Sequence, residues 1–168
     1  YRSSGAEAEA VTTLRAGPRA MVEWLPQESI LFDGACASIS LRVDLARDAR
    51  FFGWDIVCLG RTASNERFTR GHLRQSLDLF RDRTLLYCER AAMDGGTRAL
   101  QSGAILSGGP VFGTLAMAGA TMSDEVLAAC RAADCPGGEG AITRLPEVAV
   151  ARYRGDSASA ARTYFANL

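Results

Sequence analysis

Four carboxylates fall in stretches that read as β-strands: Glu23, Asp44, Asp55 and Glu89. Gln27 stands just beyond Glu23, across Pro26. Oxygen-bearing side chains on strands could handle a metal ion in transit, since such handling needs only a few carboxylates or a watered path. A pair of carboxylates could instead hydrolyse a glycosidic bond, provided the two lie roughly 5–10 Å apart in an open cleft. Each also has a plainer reading as the partner of an arginine such as Arg42, Arg61, Arg67, Arg74 or Arg90. Asp55 is the most pointed case. It sits in the most apolar strand, where a charge without a partner is costly. A second polar cluster, Glu66-Arg67-Phe68 with Arg70 and Gly71, reads as a solvated turn or as a recognition surface, because arginine and aromatics favour interface hot spots.

Much other chemistry is excluded. The chain has no lysine, so no phosphate-binding P-loop exists. No glycine-rich dinucleotide fingerprint and no nucleophile elbow occur. The one histidine, His72, reads as a surface or packing residue rather than a catalytic base. Cys36, Cys58, Cys88, Cys130 and Cys135 are odd in number and fit no zinc spacing. They read as reduced thiols of a cytoplasmic protein. The 19 basic residues are all arginine and balance 19 acidic ones. That predicts a surface laced with ion pairs and argues against a nucleic-acid partner. The uncharged run from Ala99 to Ser123 is long enough for a membrane span, but its glycines predict turns and buried strands instead. The chain opens on Tyr1 with no signal peptide, and reads as part of a longer protein.

The elements that must position these groups are mostly strands. Met21–Leu25 and Ile30–Phe32 meet at a corner made by Pro26, which cannot donate a ladder hydrogen bond. Asp33-Gly34 closes that stretch as a turn. From Cys36 to Ala46 alternation is strict, with Ala37, Ile39, Leu41, Val43 and Leu45 on one face. Val11–Arg15 precedes it and the deeply apolar Arg50–Gly60 follows. Leu73–Phe80 and Leu85–Met93 read as a hairpin about Arg81-Asp82-Arg83. Val111–Met117 is a buried strand. Ser123 caps a helix that runs to about Asp134, stopped by Pro136-Gly137-Gly138. A strand over Glu147–Arg154 and a helix to Leu168 close the chain. The expected class is mainly β, a long meander with two helices in the C-terminal third, as one domain over residues 1–168 with no internal linker.

The order of several blocks resembles the urease accessory protein family UreD, also called UreH. They begin at Tyr1-Arg2-Ser3, then Glu23-Trp24-Leu25-Pro26-Gln27 with Ile30 and Phe32. Val43-Asp44-Leu45, Phe51-Phe52-Gly53-Trp54-Asp55-Ile56 and Leu59-Gly60-Arg61 follow. Next come Glu66-Arg67-Phe68, Glu89-Arg90, Asp94-Gly95-Gly96, Pro110 to Leu115, and Arg152-Tyr153-Arg154-Gly155-Asp156. Residues 119 to 146 match in pattern only. The resemblance implies a β-helical fold and no catalytic activity. It implies a cytoplasmic maturation factor that binds urease apoprotein, UreF and the GTPase UreG and helps deliver nickel, with no tightly bound cofactor and nickel only in transit. An internal tunnel is implied, for which Glu23, Gln27, Asp44 and Asp55 are the lining candidates. Arg61, Glu66, Arg67 and Arg70 are the candidates for facing partners. Family members carry more β-structure before the position of Tyr1 and run past that of Leu168, so the chain reads as a truncated member. Two other classes stay open. A small-molecule or glycan binding module predicts Trp24 and Trp54 exposed on one face, and a two-carboxylate hydrolase predicts an open cleft. The maturation reading predicts exposed apolar patches for partners.

Overall fold

The computed structural model describes residues 1–2 and 6–168. Ser3, in the opening block of the resemblance, lies outside them. Among the described residues the strands are β1 (Ala8–Ala16), β2 (Met21–Trp24), β3 (Ser29–Leu31), β4 (Cys36–Leu45), β5 (Arg50–Leu59), β6 (His72–Arg81), β7 (Thr84–Asp94), β8 (Val111–Ala118), β9 (Gly138–Arg144) and β10 (Val148–Gly155). The helices are α1 (Asp124–Ala132) and α2 (Ala158–Ala166). The expected mainly β class, with both helices in the C-terminal third, is what the chain adopts.

The strands form two sheets. The first has the order β1-β4-β6-β7, and the second β2-β5-β8-β10-β9 with β3 also on β5. Few successive strands pair as a meander would. β4 runs parallel to β1 and β6, while β5 runs parallel to β2 and β3. Parallel neighbours need a crossover. Here each crossover is itself a strand of the other sheet, so the chain winds from one layer to the other. Antiparallel hairpins appear at β6–β7 and β9–β10. The β6–β7 turn uses Asp82 and Arg83, both at positive φ (44° and 67°), as a tight two-residue hairpin requires.

Pro26 does what its chemistry dictates. β2 pairs with β5 as far as Gly53, and β3 resumes the pairing at Val57. The corner between them leaves Trp54, Asp55 and Ile56 without a neighbour on that side. The Trp54 indole N–H donates to the Pro26 carbonyl at 3.1 Å and fixes the corner.

The second sheet is covered on both faces. One face packs on the first sheet, through Phe51, Ala116 and Val150 against Leu41, Val43 and Leu79. The other carries α1 and α2, with Ile56, Leu115 and Tyr153 against Leu127, Cys130 and Phe165. Ser123 caps α1 as expected, its hydroxyl accepting from Val126 N–H at 3.2 Å. Strand β9 is absent from the sequence reading, which takes Pro136-Gly137-Gly138 only as the stop of a helix running to about Asp134. Glycines 138 and 140 hide it, being weak strand formers. Packing demands them: a Cβ on Gly140 would lie 2.3 Å from the Tyr164 ring, and one on Gly138 2.7 Å from the Tyr153 ring.

Phe165 anchors the helical layer. It is fully buried, with ring centroids 6.3 Å from Trp54 and 5.6 Å from Tyr164. Phe165→Ala is expected to lower unfolding free energy by about 3–5 kcal/mol. Urea denaturation of the full-length protein measures this, and a loss under about 1 kcal/mol would place the ring outside the cooperative core.

Candidate functional site: a polar layer between the sheets

Alternation fixes which side chains meet between the sheets. On β5, β8 and β10 the register sets Asp55, Thr114 and Arg152 in one row facing the first sheet. From the first sheet, Gln75 on β6 and Tyr87 and Glu89 on β7 face back. Gln75 donates to Asp55 Oδ2 at 2.8 Å. The Thr114 hydroxyl donates to Glu89 Oε1 at 2.9 Å. Arg152 Nη2 reaches Glu89 Oε2 at 2.9 Å and the Tyr87 oxygen at 3.0 Å. The Tyr87 hydroxyl also donates to Glu89 Oε2. Apolar clusters lie on either side of this layer. One is built on Leu41, Val43, Phe51 and Leu79, the other on Ile39, Val57, Leu59 and Leu73. Beside Asp55, Gln75, Glu89 and Thr114 a cavity of about 20 Å³ remains, room for about one water.

The two carboxyls are pushed in opposite directions. Burial raises Asp55, the Gln75 hydrogen bond opposes it, and the nearby Glu89 charge adds to the rise. Burial also presses Glu89 upward, but Tyr87, Arg152 and Thr114 together outweigh it and hold that carboxyl below its ordinary value. Burial raises the Tyr87 phenol to about 12, so it stays a donor to Glu89. One ionised carboxylate and one that resists ionisation thus share a water-sized space.

Of the four residues expected to line an interior path, only Asp55 faces this space. Glu23 and Gln27 are exposed, on the edge strand and at the proline corner. Asp44 lies on the outer face of the first sheet, paired with Arg42 at 2.8 Å and Arg15 at 3.9 Å. The alternation of β4 sends it outward, because Val43 and Leu45 take the inner positions. Glu89, Gln75, Thr114, Tyr87 and Arg152 were not among those four. Glu89 alone stood out in the sequence as a strand carboxylate. Its face is set by the irregularity near Leu79 and Phe80, which shifts the β6–β7 register.

The residues expected to face partners lie in another place, around Asp33. Asp33 Oδ1 accepts from Thr69 N–H at 2.7 Å and Arg70 N–H at 2.9 Å, and Oδ2 pairs with Arg70 Nη2 at 3.0 Å. The Arg70 guanidinium and the Thr69 N–H hold this carboxyl well below the usual carboxylate range. Glu66 accepts from Arg61 at 2.7 Å and from Asp33 N–H at 3.1 Å, and Arg61 lies 4.6 Å over the Phe32 ring. Arg61, Glu66 and Arg70 are therefore engaged with one another's loops. Arg67 is exposed and, with Arg98, lines an open groove of about 690 Å³; neither makes an ion pair among the described residues. His72 is partly exposed, 3.3 Å from Glu7.

The chemistry available is narrow. All five cysteines are free. Among the described residues no cluster of three or more His, Cys, Asp or Glu could hold a metal, and no helix is long and apolar enough to cross a membrane. Trp24 and Trp54 are half-buried on opposite faces of the second sheet, unlike the shared exposed face a glycan platform needs. Asp55 and Glu89 form the carboxylate pair, but their cavity admits a water and no sugar ring.

A family model described as UreD urease accessory protein matches residues 1–168. The chain belongs to the UreD family. It is 42% identical over 168 residues to the urease accessory protein UreD of Azoarcus sp. strain BH72, covering all of this chain and 59% of that protein. It is 44% identical over 172 residues to that of Dechloromonas aromatica strain RCB, covering all of this chain and 60% of the relative. With the UreD of Pseudomonas aeruginosa strain UCBPP-PA14 it shares 47% identity over 152 residues, 90% of this chain and 54% of the relative. The chain thus spans about three-fifths of the length of the first two of these relatives.

The raised Asp55 carboxyl has a consequence for stability in this UreD chain. Its ionised form is disfavoured by folding, so it lowers stability once pH rises above the unfolded carboxyl value of about 4. Asp55→Asn keeps an acceptor for Gln75 and removes that charge. The variant is expected to be more stable than the parent at neutral pH, with the gain fading as pH falls toward about 4. Urea midpoints across that range test it; a neutral-pH loss that fades in acid would show that the carboxylate is favoured by its surroundings.

Proposed function

We propose that this chain is the sheet body of a urease maturation factor that helps deliver nickel to urease apoprotein. The observation that carries the reading is the polar layer, which crosses a two-sheet interior that is otherwise apolar. Nickel is cargo here, not a resident cofactor, and none is tightly held. Two carboxylates and neighbouring hydroxyl and amide oxygens offer a passing cation too few ligands to retain it. The layer is read as a segment of a nickel path, with Asp55 and Glu89 as its inner waypoints. Asp55 sits opposite the break between β2 and β3, and Glu23 and Gln27 at that corner form the outer rim. The winding of strands between the two sheets is read as the β-helical fold implied by the resemblance. No catalytic step is assigned to any residue.

The partners in this reading are urease apoprotein, UreF and UreG. The Arg61–Arg70 loop and its groove form one contact surface. The exposed Met21 and Leu25, flanking Glu23 on the open edge of β2, supply an apolar one. The five free thiols suit action in the cytoplasm, where they stay reduced.

Nickel-dependent urease activation by the full-length protein, with apoprotein and accessory proteins of the same source, tests the path. Asp55→Asn is expected to cut activation about 10–100-fold, the usual cost of losing a group in a metal's surroundings. Asp44→Asn, altered on the outer face, is expected to leave it unchanged. Full activation by the Asp55 variant would remove the layer from the path. Arg67→Glu is expected to weaken capture of UreF or apoprotein in a pull-down while sparing the fold; undiminished capture of both would take the groove out of the interface.

A further inference from the structure

The open groove beside Arg67 is built from the two loops that follow β5 and β7. Its walls come from residues 62–69 and 96–110, with Leu59 and Asp156 completing the lining. The floor is apolar: Leu59, Phe68, Leu100 and Leu106 are all buried and belong to one cluster. The loops are tied to each other, Gly96 N–H donating to the Phe68 carbonyl at 3.2 Å. Gly96 holds a φ of 71°, and a Cβ there would lie 2.5 Å from the Thr69 carbonyl oxygen. The loops therefore meet this closely only through glycine. Within the second loop, Gly108 N–H donates to the Leu100 carbonyl and Gly109 N–H to the Leu106 carbonyl, both at 2.9 Å. The groove is thus formed before anything enters it. Its volume of about 690 Å³ falls among ligand clefts, which run to about 300–1,000 Å³.

Charge on the lining is unbalanced. Glu66 is neutralised by Arg61 at 2.7 Å. Arg67 from one loop and Arg98 from the other are exposed and form no ion pair among the described residues, which sets two cations against Asp156 alone. We propose that the groove docks an extended acidic segment of a partner protein, with carboxylates on Arg67 and Arg98 and an apolar side chain on the floor. A free anion would engage the arginines and leave the floor unfilled. An apolar small molecule would fill the floor and use neither guanidinium. A peptide does both, because successive side chains of an extended chain point in opposite directions, one to the rim and the next to the floor. Guanidinium forks receive carboxylates bidentately. Asn65, Thr97 and Gln101 on the same walls carry donors and acceptors for the peptide backbone. The proposal rests on reading the groove as a partner contact, and adds the chemistry that the partner must present.

Two probes test it on the full-length protein. One is an array of overlapping twelve-residue peptides from UreF, UreG and urease apoprotein of the same source. The other is a designed fluorescent decapeptide in which glutamates flank one central leucine. Binding is read by fluorescence anisotropy for the decapeptide and for each resynthesised array hit. Hits are expected to be acidic with an apolar residue among the acids. Arg98→Glu and Arg67→Glu, both at exposed positions, are each expected to weaken binding about tenfold or more. Replacing the peptide's acids by their amides is expected to do the same. Asp156→Asn, which removes the opposing charge, is expected to tighten binding about two- to fivefold, a gain that a damaged fold would not give. Binding that survives both arginine variants, or that the amide peptides keep, overturns the proposal. Failure of both probes also overturns it, and is the result expected if chain beyond these 168 residues fills the groove. Arginine-dependent binding of the decapeptide with no hit on the array would leave the groove's chemistry standing and reject it as a contact for these three proteins. None of these outcomes bears on the nickel path, which the activation of the Asp55→Asn variant reads separately.

Discussion

Residues of β5 alternate between two buried surroundings. Phe51, Asp55 and Val57 meet the first sheet, while Trp54, Ile56 and Cys58 meet the helical side. A strand covered on both faces fixes the order of the layers around it. It must have a sheet on one side and helices on the other, and its neighbours must follow its register. β8 and β10 extend it antiparallel and carry the apolar rows that receive α1 and α2. On its other edge Pro26 breaks the pairing, opposite the carboxylate that β5 carries inward. The interruption and the charge thus occur at the same level of the strand.

Asp55 at an inward position has a cost that the surrounding residues offset only in part. A carboxylate there needs partners from both sheets, and Gln75 supplies one at 2.8 Å. Glu89 is better served, by Tyr87, Thr114 and Arg152. The result is a band of hydrogen-bonded side chains that divides the interior into two apolar clusters. Each cluster has its own large side chains, Phe51 and Leu79 in one, Leu31 and Leu73 in the other. Folding alone would favour an apolar pair at positions 55 and 89, since buried charged networks seldom outperform well-packed hydrophobic groups.

The sequence made much of this legible, and its failures have physical causes. The alternation in β4 was read residue by residue, and Ala37, Ile39, Leu41, Val43 and Leu45 are all buried. Pro26, the Ser123 cap and the β6–β7 turn follow from local chemistry and were visible as such. Parallel pairing was not, because nothing local to β4 distinguishes a partner 29 or 36 residues away from the next strand along. β9 was hidden because its glycines serve tertiary packing under Tyr153 and Tyr164, which no strand propensity records. Asp44 illustrates a different gap. Its outward face was readable from Val43 and Leu45, and the family resemblance alone suggested otherwise. Glu89 could be named but not oriented, since an irregularity in the hairpin decides its face. Tyr87 and Arg152 meet across two sheets, and such a meeting has no signature in either strand.

The arrangement also bears on how a protein could pass a cation without keeping it. A retained metal needs several ligands already deprotonated and oriented toward one point. Here Glu89 is ionised but saturated by three donors, and Asp55 resists ionisation because it is buried beside that charge. A cation that reached the cavity would gain Asp55 as a ligand only by favouring loss of its proton, and Glu89 only by competing with Arg152. Both terms weaken net binding, and both reverse when the cation leaves. Arg152 returns to Glu89, and Asp55 regains the proton that burial favours. Under the proposed path, weak and reversible holding follows from the same burial and pairing that divide the core, and needs no moving domain.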